Sequence, residues 1–294
     1  MLRSCLAILA LMIVMMGTLP ARGDEAATQP AGGKMKVGIL VSEYTATGPH
    51  AGAQEYGYAH AKIAAEMKDP SIQLIPIIDP GSESESGLGE AIKENFPESE
   101  GKVLNGSDPE ALKSLDAIVL AQVPNLKDEV LDGVTKVVSE GTPLLVVGRC
   151  GNLNPAYKNK AIADLVGMTE AHFAWTRGTG AAEVVAKDDP LIKGLGAPEE
   201  WTVSVAGAHG KLNEGAVPLV KLKADADLRL PGNATRGEGE DYFIVYQTTL
   251  EKGPVMVCNW TKLPDEIAKM EGQGFYVRCL KRLGELKKAT AAGK

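Results

Sequence analysis

Cys150 and His209 are the two side chains of this sequence that could together carry covalent chemistry. Cys150 stands in Gly148-Arg149-Cys150-Gly151-Asn152, directly after the apolar run Leu144-Leu145-Val146-Val147. A cysteine on a tight strand-to-helix turn exposes its sulfur, and backbone amides beyond it can hold an oxyanion. An adjacent arginine and a helix N-terminus both favour the thiolate. Such a nucleophile needs a base. His209, in Ala206-Gly207-Ala208-His209-Gly210-Lys211, is the candidate. The plain alternative is an ordinary loop cysteine and a surface histidine.

Other residues suit binding better than bond making. In open α/β sheets, ligands sit beyond the carboxyl ends of the strands at the switch point. That rule nominates two loops, Ser42–Thr47 and Gly148–Asn154. The first offers Glu43 and Tyr44, and the second Arg149 and Asn152. Trp175, Trp201 and Trp260 could stack on a sugar ring, although tryptophans in such runs usually serve the core. His60 and His172 read as packing residues. The four histidines lack ligand spacing such as H-E-x-x-H, so no metal is expected. The glycine-rich stretches lack the strand-to-helix context of a phosphate loop, so no nucleotide cofactor is expected. Cys258, in Pro254–Cys258, and Cys279, on a helical apolar stripe, read as buried core thiols. A disulfide between them is the lesser alternative, open only outside the cytoplasm.

The elements that must position these groups follow from apolar periodicity. Lys36–Ser42, Ile72–Ile78, Ala117–Leu120 and Leu144–Val147 are short, nearly continuous apolar runs, as in strands buried on both faces. Pro76 lacks a donor and points to an edge or irregular position. Helical spacing is expected over 53–67, over 126–139 and over Gly274–Leu286. Residues 80–105 read as a long excursion with one short helix. Alternating strands and helices imply right-handed crossovers and a mostly parallel sheet. After residue 180, strand-like runs dominate: Ala182–Ala186, Trp201–Val205, Val217–Leu222, Tyr242–Tyr246 and Val255–Asn259. The fold expected is α/β and flavodoxin-like, a mostly parallel sheet flanked by helices, with additional strands in the C-terminal half.

Four stretches resemble the trehalose-utilisation (ThuA-like) family, part of the class I glutamine amidotransferase-like superfamily. They are Leu115–Leu120 with Val138–Gly148, Val185–Leu195, Tyr246–Trp260 and Phe275–Gly284. The resemblance is one of pattern and order and covers nearly all of 36–286. It implies a ligand site for a carbohydrate-related small molecule. It also implies a nucleophile turn of the form G-x-C-x-G and a histidine followed two residues later by glutamate. Here the second glycine comes one residue early, Lys211 holds the glutamate position, and the next acid is Glu214. Asp189 stands where the family usually has histidine. The histidine-rich segment after the first strand is replaced by Ser42-Glu43-Tyr44-Thr45.

The chain's start has the layout of a secretory signal peptide: Arg3, the apolar run Cys5–Leu19, then Ala21-Arg22-Gly23. Cleavage after residue 23 would leave 271 of the 294 residues, with 24–34 a flexible leader, 35–288 the domain and 289–294 a tail. An exported protein is expected, with no membrane contact after cleavage. The net charge of −7 disfavours nucleic acid as a partner. Three functional readings follow: a binder or enzyme for a carbohydrate-related molecule, a catalytically degenerate binding or interaction module, or a cysteine hydrolase using Cys150. Oligomeric state is not encoded in any motif.

Overall fold

The structure, a computed structural model, describes residues 33–41, 64–80, 88–123, 126–150, 160–169, 171–193, 200–230, 241–260 and 274–292. Its centre is a ten-stranded sheet. The expected apolar runs form β1 (Met35–Val41), β2 (Ile72–Ile78), β4 (Ala117–Val123) and β5 (Leu144–Cys150). Two-residue β3 (Leu104–Asn105) pairs with the end of β2. In the second half, β7 (Gly180–Val184), β8 (Glu200–Val203), β10 (Val217–Leu222), β12 (Tyr242–Leu250) and β13 (Gly253–Cys258) complete the sheet. The order is β3-β2-β1-β4-β5-β13-β12-β10-β7-β8.

The sheet is mixed rather than mostly parallel. β3 through β13 pair parallel. From β13 outward every pairing is antiparallel. The reason lies in the connections. The turn between Leu250 and Gly253 is too short for a crossover, so β12 and β13 form a hairpin. That hairpin inserts its second strand beside β5 and carries the antiparallel wing with it. β3 covers only Ile77 and Ile78, so β2 has an open edge along Ile72–Pro76 among the described residues, which suits Pro76.

Alternation along the strands sends side chains to two cores. On one face, α2 (Pro109–Leu112), α3 (Asp128–Ser139) and α4 (Lys160–Leu165) pack on Leu40, Ile118, Leu120, Val146 and Val257. On the other, α1 (Leu88–Asn95), α5 (Pro190–Lys193) and α6 (Phe275–Ala292) pack on Val37, Ile39, Val119, Val147 and Met256. α3 buries Val130, Leu131, Val134, Val137 and Val138, and Leu126 is buried just before it. That is the stripe its spacing predicts. Residues 34–294 form one compact unit.

A second, three-stranded sheet was not legible in the sequence. It contains β6 (His172–Thr176), β9 (Ala206–His209) and β11 (Leu228–Arg229), in the order β11-β6-β9. β9 also packs against β5 of the main sheet.

Candidate functional site at the carboxyl ends of the parallel strands

β1, β4, β5 and β13 end at Val41, Val123, Cys150 and Cys258, along one edge of the sheet. β1 has β2 on one side and β4 on the other, so the switch point falls between β1 and β4. The small sheet sits over this same edge. The proof is Asn259, the residue after β13. Its side-chain NH2 donates to Ala208 O at 2.8 Å and Phe243 O at 3.0 Å, and its Oδ1 accepts from Ala208 N at 3.1 Å. Cys258 pairs with Val147, so this clamp holds β9 level with the last residues of β5. Val205 bridges to Trp260 and reinforces the contact. A Cβ at Gly207 would overlap the Asn259 amide, so glycine is required for β9 to approach this closely.

β9 delivers His209, which is buried at 8 % exposure at the end of a strand. The surface-loop alternative is thereby corrected. The ring stacks on Tyr242, with centroids 5.4 Å apart and planes 26° apart. His172 of β6 lies directly opposite His209 in register, so both imidazoles leave the same face of the small sheet. Tyr242 is fully buried, and its hydroxyl finds no hydrogen-bond partner among the described residues. Burial pushes its phenol far above the ordinary range, so it stays a neutral donor.

Cys150 is the last residue of β5, paired with Val123, rather than the apex of a turn after the strand. Gly148 has φ +66°, and the register between β4 and β5 slips just there, so β5 carries a bulge beside Arg149 and Cys150. The structure therefore brings the strand ends bearing Cys150 and His209 to the same edge. Glu43, Tyr44, Asn152 and His60 lie outside the described residues. Lys211 and Glu214, the positions where a triad acid would be sought, are both exposed.

Asp189 has a structural task. Its Oδ1 caps Leu191 N at 2.9 Å, and its Oδ2 accepts from Gln247 at 3.2 Å and Arg282 at 3.1 Å. It anchors α5 to β12 and α6. Trp201 and Trp260 are buried core residues against each other. Trp175 is half-buried and stacked on Phe173, on the face of β6 away from His172. One polar residue at this edge escaped sequence reasoning. Asp79, buried at the end of β2, could have been found as the acid that follows Ile77-Ile78. Among the described residues no group of three or more His, Cys, Asp or Glu is placed to hold a metal, and no helix is long and apolar enough to cross a membrane.

No family model matches the chain, and no curated protein matches it by sequence. Solved structures do. A ThuA-like protein from Bacteroides uniformis shares 13 % identity over 88 % of this chain and 94 % of its own, with a TM-score of 0.53. A cytoplasmic protein from Salmonella typhimurium LT2 shares 14 % over 85 % and 99 %, with a TM-score of 0.49. A β-galactosidase from Bacillus circulans shares 11 % over 86 % of this chain but 31 % of its own, with a TM-score of 0.47. The first likeness shows a shared fold. The chain is an α/β protein with a ThuA-like fold, and the likeness extends to nearly the whole of that neighbour.

Proposed function

We propose that this protein is an exported ThuA-like domain with a flavodoxin-like parallel core, binding a neutral, carbohydrate-related small molecule at the carboxyl edge of its parallel strands. The observation that carries the reading is the stacked pair His209–Tyr242. A buried hydroxyl without a partner costs roughly 1–3 kcal/mol. The hydroxyl of a polyol both donates and accepts, so it would complete Tyr242 and meet the imidazole edges together. The neutral phenol of Tyr242, which can donate and accept like a sugar hydroxyl, favours an uncharged polyol as its partner. Glu43, Tyr44, Arg149 and Asn152 are the further contacts proposed around it.

The test is calorimetric titration of neutral mono- and disaccharides and sugar alcohols into wild type, Tyr242→Phe and His209→Ala. Saturable binding weakened about tenfold or more by both changes is expected. Binding that survives both unchanged would move the site elsewhere.

A second reading, a thiol hydrolase using Cys150 with His209, draws on the adjacency of β5 and β9. The missing acid after His209 counts against it. Iodoacetamide labelling between pH 5 and 9 separates the two. Labelling of Cys150 with a midpoint well below ~8.5 would promote the hydrolase, whereas free-thiol behaviour would remove it. Export rests on the arrangement around Arg3, Cys5–Leu19 and Ala21–Gly23. Expression of the full chain in a secreting host should yield a mature protein beginning at Asp24. An intact Met1 in the cytosol would refute export.

A further inference from the structure

Two thiols outside the candidate site meet inside the core. Cys258 ends β13, and Cys279 lies one turn into α6. Both are completely buried, in the same core cluster, where α6 packs on β13. The Cys258 thiol is near enough to Cys279 to add to the effect of burial in raising the Cys279 thiol's pKa. α6 is held in place independently of them. Arg282, three residues on, bonds to Asp189, and Tyr276 receives the indole N–H of Trp260 at 2.9 Å. The two thiols are thus neighbours across the seam where α6 packs on β13.

We propose that Cys258 and Cys279 are a redox pair that closes into a disulfide, pinning α6 to the strand end that continues into Asn259. Each Sγ loses its proton, and an Sγ–Sγ bond forms. The electron pair passes to a disulfide oxidant of the glutathione class, whose own S–S bond opens to two thiols. Because Asn259 follows directly, the bond stiffens the residue that clamps β9 and His209. Burial, with the neighbouring Cys258 thiol, pushes the Cys279 thiol well up. The folded, reduced pair therefore exchanges slowly, and the bond forms most readily while the chain folds. The proposal does not depend on the ligand reading.

The test is to refold the full chain across a series of reduced-to-oxidised glutathione ratios, block free thiols with N-ethylmaleimide and map the peptides by mass spectrometry. The expected result is a linked 258–279 pair, with Cys150 still alkylated. The intact protein should be lighter by two hydrogens, and its Tm higher than that of the reduced form by roughly 5–10 °C. The refolded wild type suffices, so the outcome does not hinge on any variant folding. Natively folded protein with both cysteines alkylated at the most oxidising ratio would overturn the proposal, as would linkages shared at random with Cys150.

Discussion

At the residue scale, the candidate site depends on a close approach. Gly207 and Asn259 are a matched pair: the amide occupies the space that a side chain at 207 would need. Asn259→Ala strips partners from Ala208 N, Ala208 O and Phe243 O in a buried setting. It should cost about 2–4 kcal/mol, by the penalty for unpaired buried groups. Gly207→Ala should cost a similar amount by pushing β9 off the clamp. Urea unfolding of each variant measures this, and a loss below about 0.5 kcal/mol would show that β9 is held by something else. Tyr242→Phe should differ. Without ligand it removes an unsatisfied hydroxyl, so stability should stay within about 1 kcal/mol of wild type.

At the element scale, α6 is secured by more than its apolar face. Phe275, Tyr276, Val277, Cys279, Leu280 and Leu283 are buried, and one turn beyond Cys279 the Asp189–Arg282 pair joins the helix to α5 and β12. Both partners are largely buried, with side-chain exposures of 10 % and 20 %. Removing Asp189 alone leaves the largely buried Arg282 with only the exposed carboxylate of Glu285. Asp189→Ala should therefore destabilise by roughly 3 kcal/mol, whereas replacing both partners with apolar residues should cost less. A double-mutant cycle reads the coupling, and strict additivity would mean that the pair contributes nothing of its own.

At the scale of the whole molecule, buried acids of high pKa set the alkaline limit. Burial raises Tyr242; burial, helped by Glu66, raises Tyr276; burial, helped by Cys258, raises Cys279. The unfolded chain releases these protons near the ordinary values of 9.0 for cysteine and 10.0 for tyrosine, while the folded chain retains them. Stability from these groups is complete below pH 9 and is lost as pH rises beyond it, because the unfolded state then binds fewer protons. Tm should fall steadily from pH 9 to 11, and Tyr242→Phe should flatten the fall. A Tm unchanged over that interval would contradict the burial of these groups.

What the sequence by itself determined is what periodicity and side-chain shape can impose locally. Val37–Val41, Ile72–Ile78, Ala117–Leu120 and Leu144–Val147 had to be inner strands, because continuous β-branched and apolar runs demand cover on both faces. The stripes of α3 and α6 had to face a core for the same reason. Cys150 at the end of an apolar run, and a late strand beginning near Tyr242, followed from the same signals. Only the tertiary structure decided that His209 is buried, that it faces His172, that Asp189 serves as an anchor, and that Cys258 meets Cys279. Ala206-Gly207-Ala208-His209 has no β-branched residue and no alternation to mark it as a strand. Gly207 carries no side chain because the Asn259 amide, 52 residues away in the chain, fills the space beside it. Such a requirement belongs to a neighbour brought close by folding, and a neighbour of that kind leaves no trace in local pattern.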